Sequence, residues 1–345
     1  MTDKQWRSCR FMVSGLARKV QFNQATIDKL FVPFLQRMTR RQHAMGHRMI
    51  VFLAAPPGTG KSTLSMLFEN LSQTARGIGP IQALGINGFY YRSEYLRRNS
   101  IEREGQKVML SSIKGAPETY DLERLLSKLI LLRQEDLRWP IYDRVSHDIV
   151  EDVVTVKKRI IIIEGNWLLL GDSGWQQLRQ YADYTLFIRA KTADLKERLI
   201  QHRMRGGKSR TEAERVYEMN DRLNVLRVLT DSWPADETWQ MLPDGDYVLK
   251  KQLQKVQLVN REALWQQPEV LLGDSPLLSS LSRRMASRSP EEKAAGKGAY
   301  EKGYMEGLLA ARGEIIRKLY GSGMSKEHLL QSFQLSEREL EQILR

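Results

Sequence analysis

Between residues 49 and 250, short dense apolar runs alternate with stretches in which apolar positions recur every three or four residues. Residues 50–54, 81–86, 159–163 and 184–188 read as strands, with 237–242 as a fifth. The first and third are apolar on both faces, as central strands of a parallel sheet are. Residues 63–68, 122–137, 192–203 and 211–228 read as the intervening helices, and Trp139-Pro140 as a turn. This alternation predicts an α/β fold, a doubly wound parallel sheet covered on both faces. Ahead of it, residues 11–22 alternate loosely enough for a short strand pair. Asn23 is placed to cap a helix over 25–44, whose apolar set (Ile27, Leu30, Phe31, Phe34, Leu35) falls at helical spacing and which Pro33 should kink or split. From 87 to 114 the chain is polar and charged.

The pattern changes after residue 249. Residues 271–290 are rich in Ser and Leu without a clean period, so 251–290 reads as a linker. Residues 291–345 read as a helical tail, with Tyr304, Leu308, Ala311, Ile315 and Leu319 in one apolar stripe. Gly321-Ser322-Gly323 breaks the stripe, Ser325 opens a short helix, and Ser336 with Glu339 forms a capping box for a last one. The expected organisation is thus 1–47, a strand pair and helix packed on the core; 48–250, the core; then linker and tail. A stripe of this kind favours helix pairing, hence a homo-oligomer joined through the C-terminal helices.

The chain has 345 residues, 41% of them hydrophobic, enough for one large core and a small accessory unit. Cys9 is the single cysteine, so a reducing, cytoplasmic setting is the expectation. The longest uncharged apolar runs are strand-sized, which argues against a signal peptide or membrane span. The formal net charge of +13 raises nucleic acid as a partner, yet the basic residues are spread through mixed-sign stretches. Handling of small polyphosphates accounts for the surplus better.

The most informative segment follows the first core strand: Ala55-Pro56-Pro57-Gly58-Thr59-Gly60-Lys61-Ser62-Thr63. It matches the P-loop pattern G-x-x-x-x-G-K-[ST] except that Ala55 stands at the first glycine. Strand, Gly-rich loop and helix come in the required order. Backbone N–H groups of Pro57–Thr63 (Pro57 itself excepted), the Lys61 ammonium and the helix dipole suit the β- and γ-phosphates of ATP, and the Ser62 hydroxyl suits Mg²⁺.

Four further segments follow in order: Asn87-Gly88-Phe89-Tyr90, residues 114–121 (Lys-Gly-Ala-Pro-Glu-Thr-Tyr-Asp), residues 140–147 (Pro-Ile-Tyr-Asp-Arg-Val-Ser-His) and residues 163–170 (Ile-Glu-Gly-Asn-Trp-Leu-Leu-Leu). With the P-loop they resemble the uridine kinase / phosphoribulokinase / bacterial pantothenate kinase branch of P-loop kinases, over about residues 11–250. Within it the wording is closest to a bacterial nucleoside or nucleotide kinase group that includes sugar kinases. The resemblance implies a cytoplasmic ATP- and Mg²⁺-dependent kinase of a small-molecule acceptor, nucleoside or sugar-like. It implies Glu164 as a metal ligand beside Ser62, and Glu118 and Asp121 as an acidic pair gripping acceptor hydroxyls. Tyr90, Tyr142 and His147 would line the acceptor pocket. Arg203, Arg205 and Arg210, flanking Gly206-Gly207, would form a lid whose arginines, Arg203 and Arg210 foremost, neutralise the transferring group.

Asn87 departs from the resemblance. Relatives carry Asp there and use it to take the acceptor hydroxyl's proton, which an amide cannot do. Glu118 or Asp143 replaces it as base, the loose transition state needs little base help, or the domain is a catalytically weak or inactive nucleotide-binding regulator acting through its tail. Residues 296–345 resemble helical tails on some transposase-associated nuclease-fold proteins. The acidic opening Ser336-Glu337-Arg338-Glu339 would repel phosphates, which favours a protein contact over DNA reading.

Overall fold

In the computed structural model of the chain, the described residues are 4–252, apart from 14–15, 104, 134 and 173, together with 320, 326 and 337–344. An antiparallel hairpin opens the fold, β1 (Trp6–Val13) against β2 (Leu16–Asn23). The Asn23 side chain then caps α1 (Gln24–Thr26), accepting from the Ala25 N–H. One π-helical turn, Ile27–Phe31, leads into α2 (Val32–Met45). Pro33 divides this helix as expected: it lies in the first turn of α2, where its missing N–H costs little.

The central sheet is built from β3 (Met49–Ala54), β4 (Ile81–Gly85), β9 (Ile160–Gly165), β10 (Tyr184–Arg189), β11 (Glu237–Met241) and β12 (Tyr247–Gln252), in the order β12-β11-β10-β3-β9-β4. Five strands are parallel. The sequence reading omitted β12, which pairs antiparallel with β11 across the tight turn at Asp244 and Gly245 and closes one edge. The two faces of β3 enter different cores. Val51 and Leu53 pack with Phe34, Phe68 and Trp239, while Ile50 and Phe52 pack with Leu125, Leu129 and Trp167. Both sides of the sheet are therefore covered: α2, α3 (Lys61–Thr74) and α6 (Thr192–Arg205) lie on the first, and α5 (Leu122–Leu132) on the second.

The region between β4 and β9 differs most from expectation. The polar stretch after residue 90 folds as α4 (Ser93–Arg98) and a hairpin of β5 (Ser100–Arg103) with β6 (Gln106–Met109). Helix α5 ends at Leu132, not 137. Trp139-Pro140 is no turn but the middle of β7 (Leu137–Asp143), paired with β8 (Asp148–Val156). Proline lacks an N–H for the ladder, and the register slips there, between Trp139 and Ile141. Gly88 lies against this strand so closely that a Cβ would come within 2.2 Å of the Pro140 carbonyl oxygen, and Trp139 Nε1 donates to the Gly85 carbonyl at 2.9 Å. The helix expected at 211–228 is α7 (Arg210–Val216), a π-helical turn and α8 (Arg222–Asp231).

A last helix, α9 (Glu337–Leu344), belongs to a separate unit, Glu269–Arg345. The expected linker and the apolar stripe lie outside the described residues. Among the described residues no helix is long and apolar enough to cross a membrane.

Candidate functional site

Sheet register assembles the site. Leu53 of β3 and Gly85 of β4 flank Glu164 of β9. The loop after β3, the loop after β4 and Glu164 therefore meet at the C-terminal edge of the sheet, where open α/β sheets bind ligands. Gly58 (φ 89°) and Gly60 (φ 82°) take left-handed conformations that turn the loop into the first turn of α3. Room is also short: a Cβ on Gly58 would lie 3.1 Å from Leu199. Thr59 Oγ1 donates to the Pro56 carbonyl and Thr63 Oγ1 to the Gly60 carbonyl, so both hydroxyls brace the loop.

Ser62 Oγ donates to Glu164 Oε1 at 2.7 Å. The second oxygen, Oε2, is buried with no protein hydrogen bond, as is Asn166 Oδ1 two residues on. A buried carboxylate oxygen without a partner beside a serine hydroxyl is a donor set that fits Mg²⁺, which takes one or two protein oxygens and completes its shell with water and phosphate. Among the described residues no group of three or more His, Cys, Asp or Glu converges on a metal. Confinement pushes the Lys61 ammonium down; Glu164 opposes this and Arg144 adds to it. A cation partly stripped of water binds phosphate oxygens strongly.

The acceptor-side residues divide. Asn87, Tyr90 and Tyr120 form one chain: the Tyr120 hydroxyl lies 3.0 Å from Asn87 Oδ1 and 2.8 Å from the Tyr90 hydroxyl. Burial pushes Tyr90 up to about 12 and Tyr120 well above the ordinary phenol value, so both stay neutral. Lys114 Nζ donates to the Tyr142 hydroxyl at 3.1 Å and sits over the Tyr142 and Tyr90 rings. His147 is held at φ 55°, with its backbone carbonyl accepting from Ser93 Oγ.

The carboxylates are engaged elsewhere. Glu118 accepts from Arg227 at 2.7 Å and Arg103 at 3.3 Å. Asp121 caps α5 through the Arg124 N–H. Asp143 accepts from the Val145 and Ser146 N–H groups and the Ser146 hydroxyl, which hold it below the usual carboxylate range. The lid arginines are also paired. Arg203 makes two 2.7 Å bonds to Asp221, and Arg210 binds Glu197 and Glu214. Asp221 sits on the π-helical turn and Glu214 one helical turn along α7. Arg205 donates to the Gln201 carbonyl.

Two cations not singled out in the sequence act on the loop. Arg198 Nε donates to the Gly58 carbonyl at 2.7 Å, and the field of Arg144 acts on both Lys61 and Tyr90. Arg198 follows the Gly-Lys-Ser motif by more than a hundred residues and carries no local signature. Arg144 was legible only as one letter of the 140–147 segment.

No family model matches the chain. It is 38% identical over 236 residues to the uncharacterized protein YggC of Escherichia coli K12, covering 68% of this chain and 96% of that one. A Schizosaccharomyces pombe protein named as a putative uridine kinase, C227.14, is 27% identical over 225 residues, 63% of this chain and 92% of its own. Among solved structures, a protein titled as a putative fructose transport system kinase from Silicibacter sp. TM1040 superposes with a TM-score of 0.52 at 29% identity, over 59% of this chain and 98% of that one. The chain belongs to the P-loop kinases, in the branch that holds uridine kinase-like proteins, pantothenate kinases and YggC.

Proposed function

We propose that the protein is an ATP-dependent kinase that transfers the γ-phosphoryl group to a hydroxyl of a small nucleoside- or sugar-like metabolite. The observation that carries this reading is the Ser62–Glu164 pair, with the unpartnered Oε2 at the C-terminal end of β9, next to the P-loop strand. Mg²⁺, when bound, would neutralise phosphate charge at Ser62 and Glu164. The 56–62 backbone and Lys61 would hold the β- and γ-phosphates. Arg144 and Arg198 bring positive charge to the loop, in place of the paired Arg203 and Arg210. Asn87, tied to Tyr120, would orient the acceptor hydroxyl as a hydrogen-bond acceptor without removing its proton.

Lys61→Ala tests this reading. ATP–Mg²⁺ should raise the melting temperature of the unaltered chain and not of the variant, with the two apo proteins melting alike. An equal rise in both would remove the P-loop from the reading. A screen of nucleosides, pantothenate and sugars including fructose for ADP release should identify the acceptor.

One observation favours a second reading, a nucleotide-binding regulator with weak or no turnover. Neither replacement base is free: Glu118 lies between two guanidinium groups and Asp143 is tied into its own turn. ATP binding with no turnover across the whole screen would support it.

A further inference from the structure

A cavity of about 250 Å³ opens beside the first turn of α3, lined by Trp6 and Gln21 of the N-terminal hairpin and by Thr63, Arg198, Gly245 and Tyr247. It is continuous with the P-loop. Arg198 donates to the Gly58 carbonyl, and the Tyr247 hydroxyl donates to the Thr59 carbonyl at 2.7 Å. Thr63 directly follows Ser62. A molecule whose terminal phosphates rest on the loop therefore has this cavity next to the rest of its length.

The hairpin is fixed where it borders the cavity. Lys4 Nζ lies 2.7 Å from Asp244 and 2.8 Å from Asp246. Asn23 Nδ2 and Thr26 Oγ1 also donate to Asp246, at 2.8 and 2.7 Å. The Gln24 N–H donates to the Gln5 carbonyl, and Phe22 packs edge-on against Phe31 in the core. A strand pair with no ladder to the central sheet is thus latched to the β11–β12 turn, with the half-buried Trp6 at the cavity wall.

We propose that the N-terminal hairpin forms the outer wall of the nucleoside end of the P-loop site, with Trp6 offering the base an aromatic surface. This rests on the nucleotide-binding reading above. It adds a division of labour: loop 56–62 holds phosphates, and the hairpin distinguishes a nucleoside triphosphate from a bare polyphosphate. Aromatic surface suits a planar base whatever its hydrogen-bonding edge.

The test titrates the full chain with ATP–Mg²⁺ and, separately, with inorganic tripolyphosphate–Mg²⁺. Trp6→Ala should weaken ATP about tenfold or more, the scale of one lost stacking partner, and leave tripolyphosphate within about twofold; Trp6→Phe should recover most of the loss. In the unaltered chain, ATP should slow amide exchange across Trp6–Val13 and Leu16–Asn23, and tripolyphosphate should not. That exchange pattern decides the matter if Trp6→Ala fails to fold. Equal effects on the two ligands, or exchange that ATP leaves unchanged, would overturn the pocket while Lys61-dependent binding of both ligands kept the P-loop reading intact. If neither ligand binds the unaltered chain, both readings fall.

Discussion

The proposed nucleotide end and the proposed acceptor end of the site are built on different principles. At the proposed nucleotide end, one contiguous stretch from β3 through the loop to α3 supplies most of the candidate residues, several of them through backbone groups. The sheet register then delivers Glu164 from the neighbouring strand. At the proposed acceptor end, side chains from the β5–β6 and β7–β8 hairpins, residues 114–121 and α8 meet through long-range pairs, such as Glu118 with Arg227 and Lys114 with Tyr142. Backbone geometry set by glycine and strand ends resists substitution. A cleft lined by side chains can be re-lined residue by residue, which suits a family whose members take different acceptors.

The contrast can be broken most forcefully at Glu164. Glu164→Gln keeps the shape and removes the charge, so turnover at saturating Mg²⁺ should fall by roughly 10²–10³, given that metal charge stabilisation is worth several kcal/mol. ATP binding measured without Mg²⁺ should change little. An unchanged rate would show that the metal is held elsewhere. At the acceptor end the largest effect should be structural. Gly88→Ala drives a methyl group into the Pro140 carbonyl of β7, which should cost about 3 kcal/mol or more. At about 2–4 °C per kcal/mol for a unit of this size, thermal unfolding should drop by roughly 6–12 °C. If it does not, the 85–89 turn is not seated on β7 as found here.

Asn87→Asp sharpens the comparison. Asn87 ends the parallel framework but faces the side-chain cleft, with its Oδ1 bonded to Tyr120. Restoring a carboxylate should raise turnover of a true acceptor tenfold or more, with the gain in kcat rather than KM. Tyr120→Phe should weaken that gain, because the carboxylate would lose the hydroxyl that orients it. Loss of activity in the aspartate variant would mean that another group already serves as base.

The same contrast explains what could be read from the sequence. Strands β3, β9 and β10 and the P-loop were legible because burial on both faces leaves dense apolar runs and the loop needs glycine at 58 and 60; β4, at the sheet edge and only partly buried, left a weaker run. Glu164 was implied by the resemblance, and its place at the end of a dense run agrees with it. The sequence misled wherever side-chain pairing decides structure. Trp139-Pro140 carried a turn signal that the β7–β8 pairing overrode with a register slip. The β5–β6 hairpin has too few apolar positions to stand out. The pairing of Arg203 with Asp221 and of Arg210 with Glu197 and Glu214 leaves no mark beside Gly206-Gly207 in the sequence. The Trp6 wall and Arg198 are joined to the P-loop by tertiary contacts alone.

The mildest effect is expected at the latch that fixes the hairpin. Burial would raise Asp246, but hydrogen bonds from Lys4, Asn23 and Thr26 and from the Tyr247 N–H outweigh it and leave the carboxyl below its usual range. Because the folded value is depressed, the stabilisation is complete above the unfolded value, near 4. It is lost as pH falls through the folded one. Asp246→Asn should cost about 1–2 kcal/mol at pH 7, the scale of a weakened buried hydrogen-bond set. The gap between variant and unaltered chain should begin to narrow as pH falls below about 4 and close only below the depressed folded value, where both carry a neutral side chain. Thermal unfolding across that range measures the gap directly. A gap that stayed constant with pH would mean that shape rather than charge holds the hairpin to the β11–β12 turn. Acid should then leave ATP discrimination at the Trp6 wall untouched.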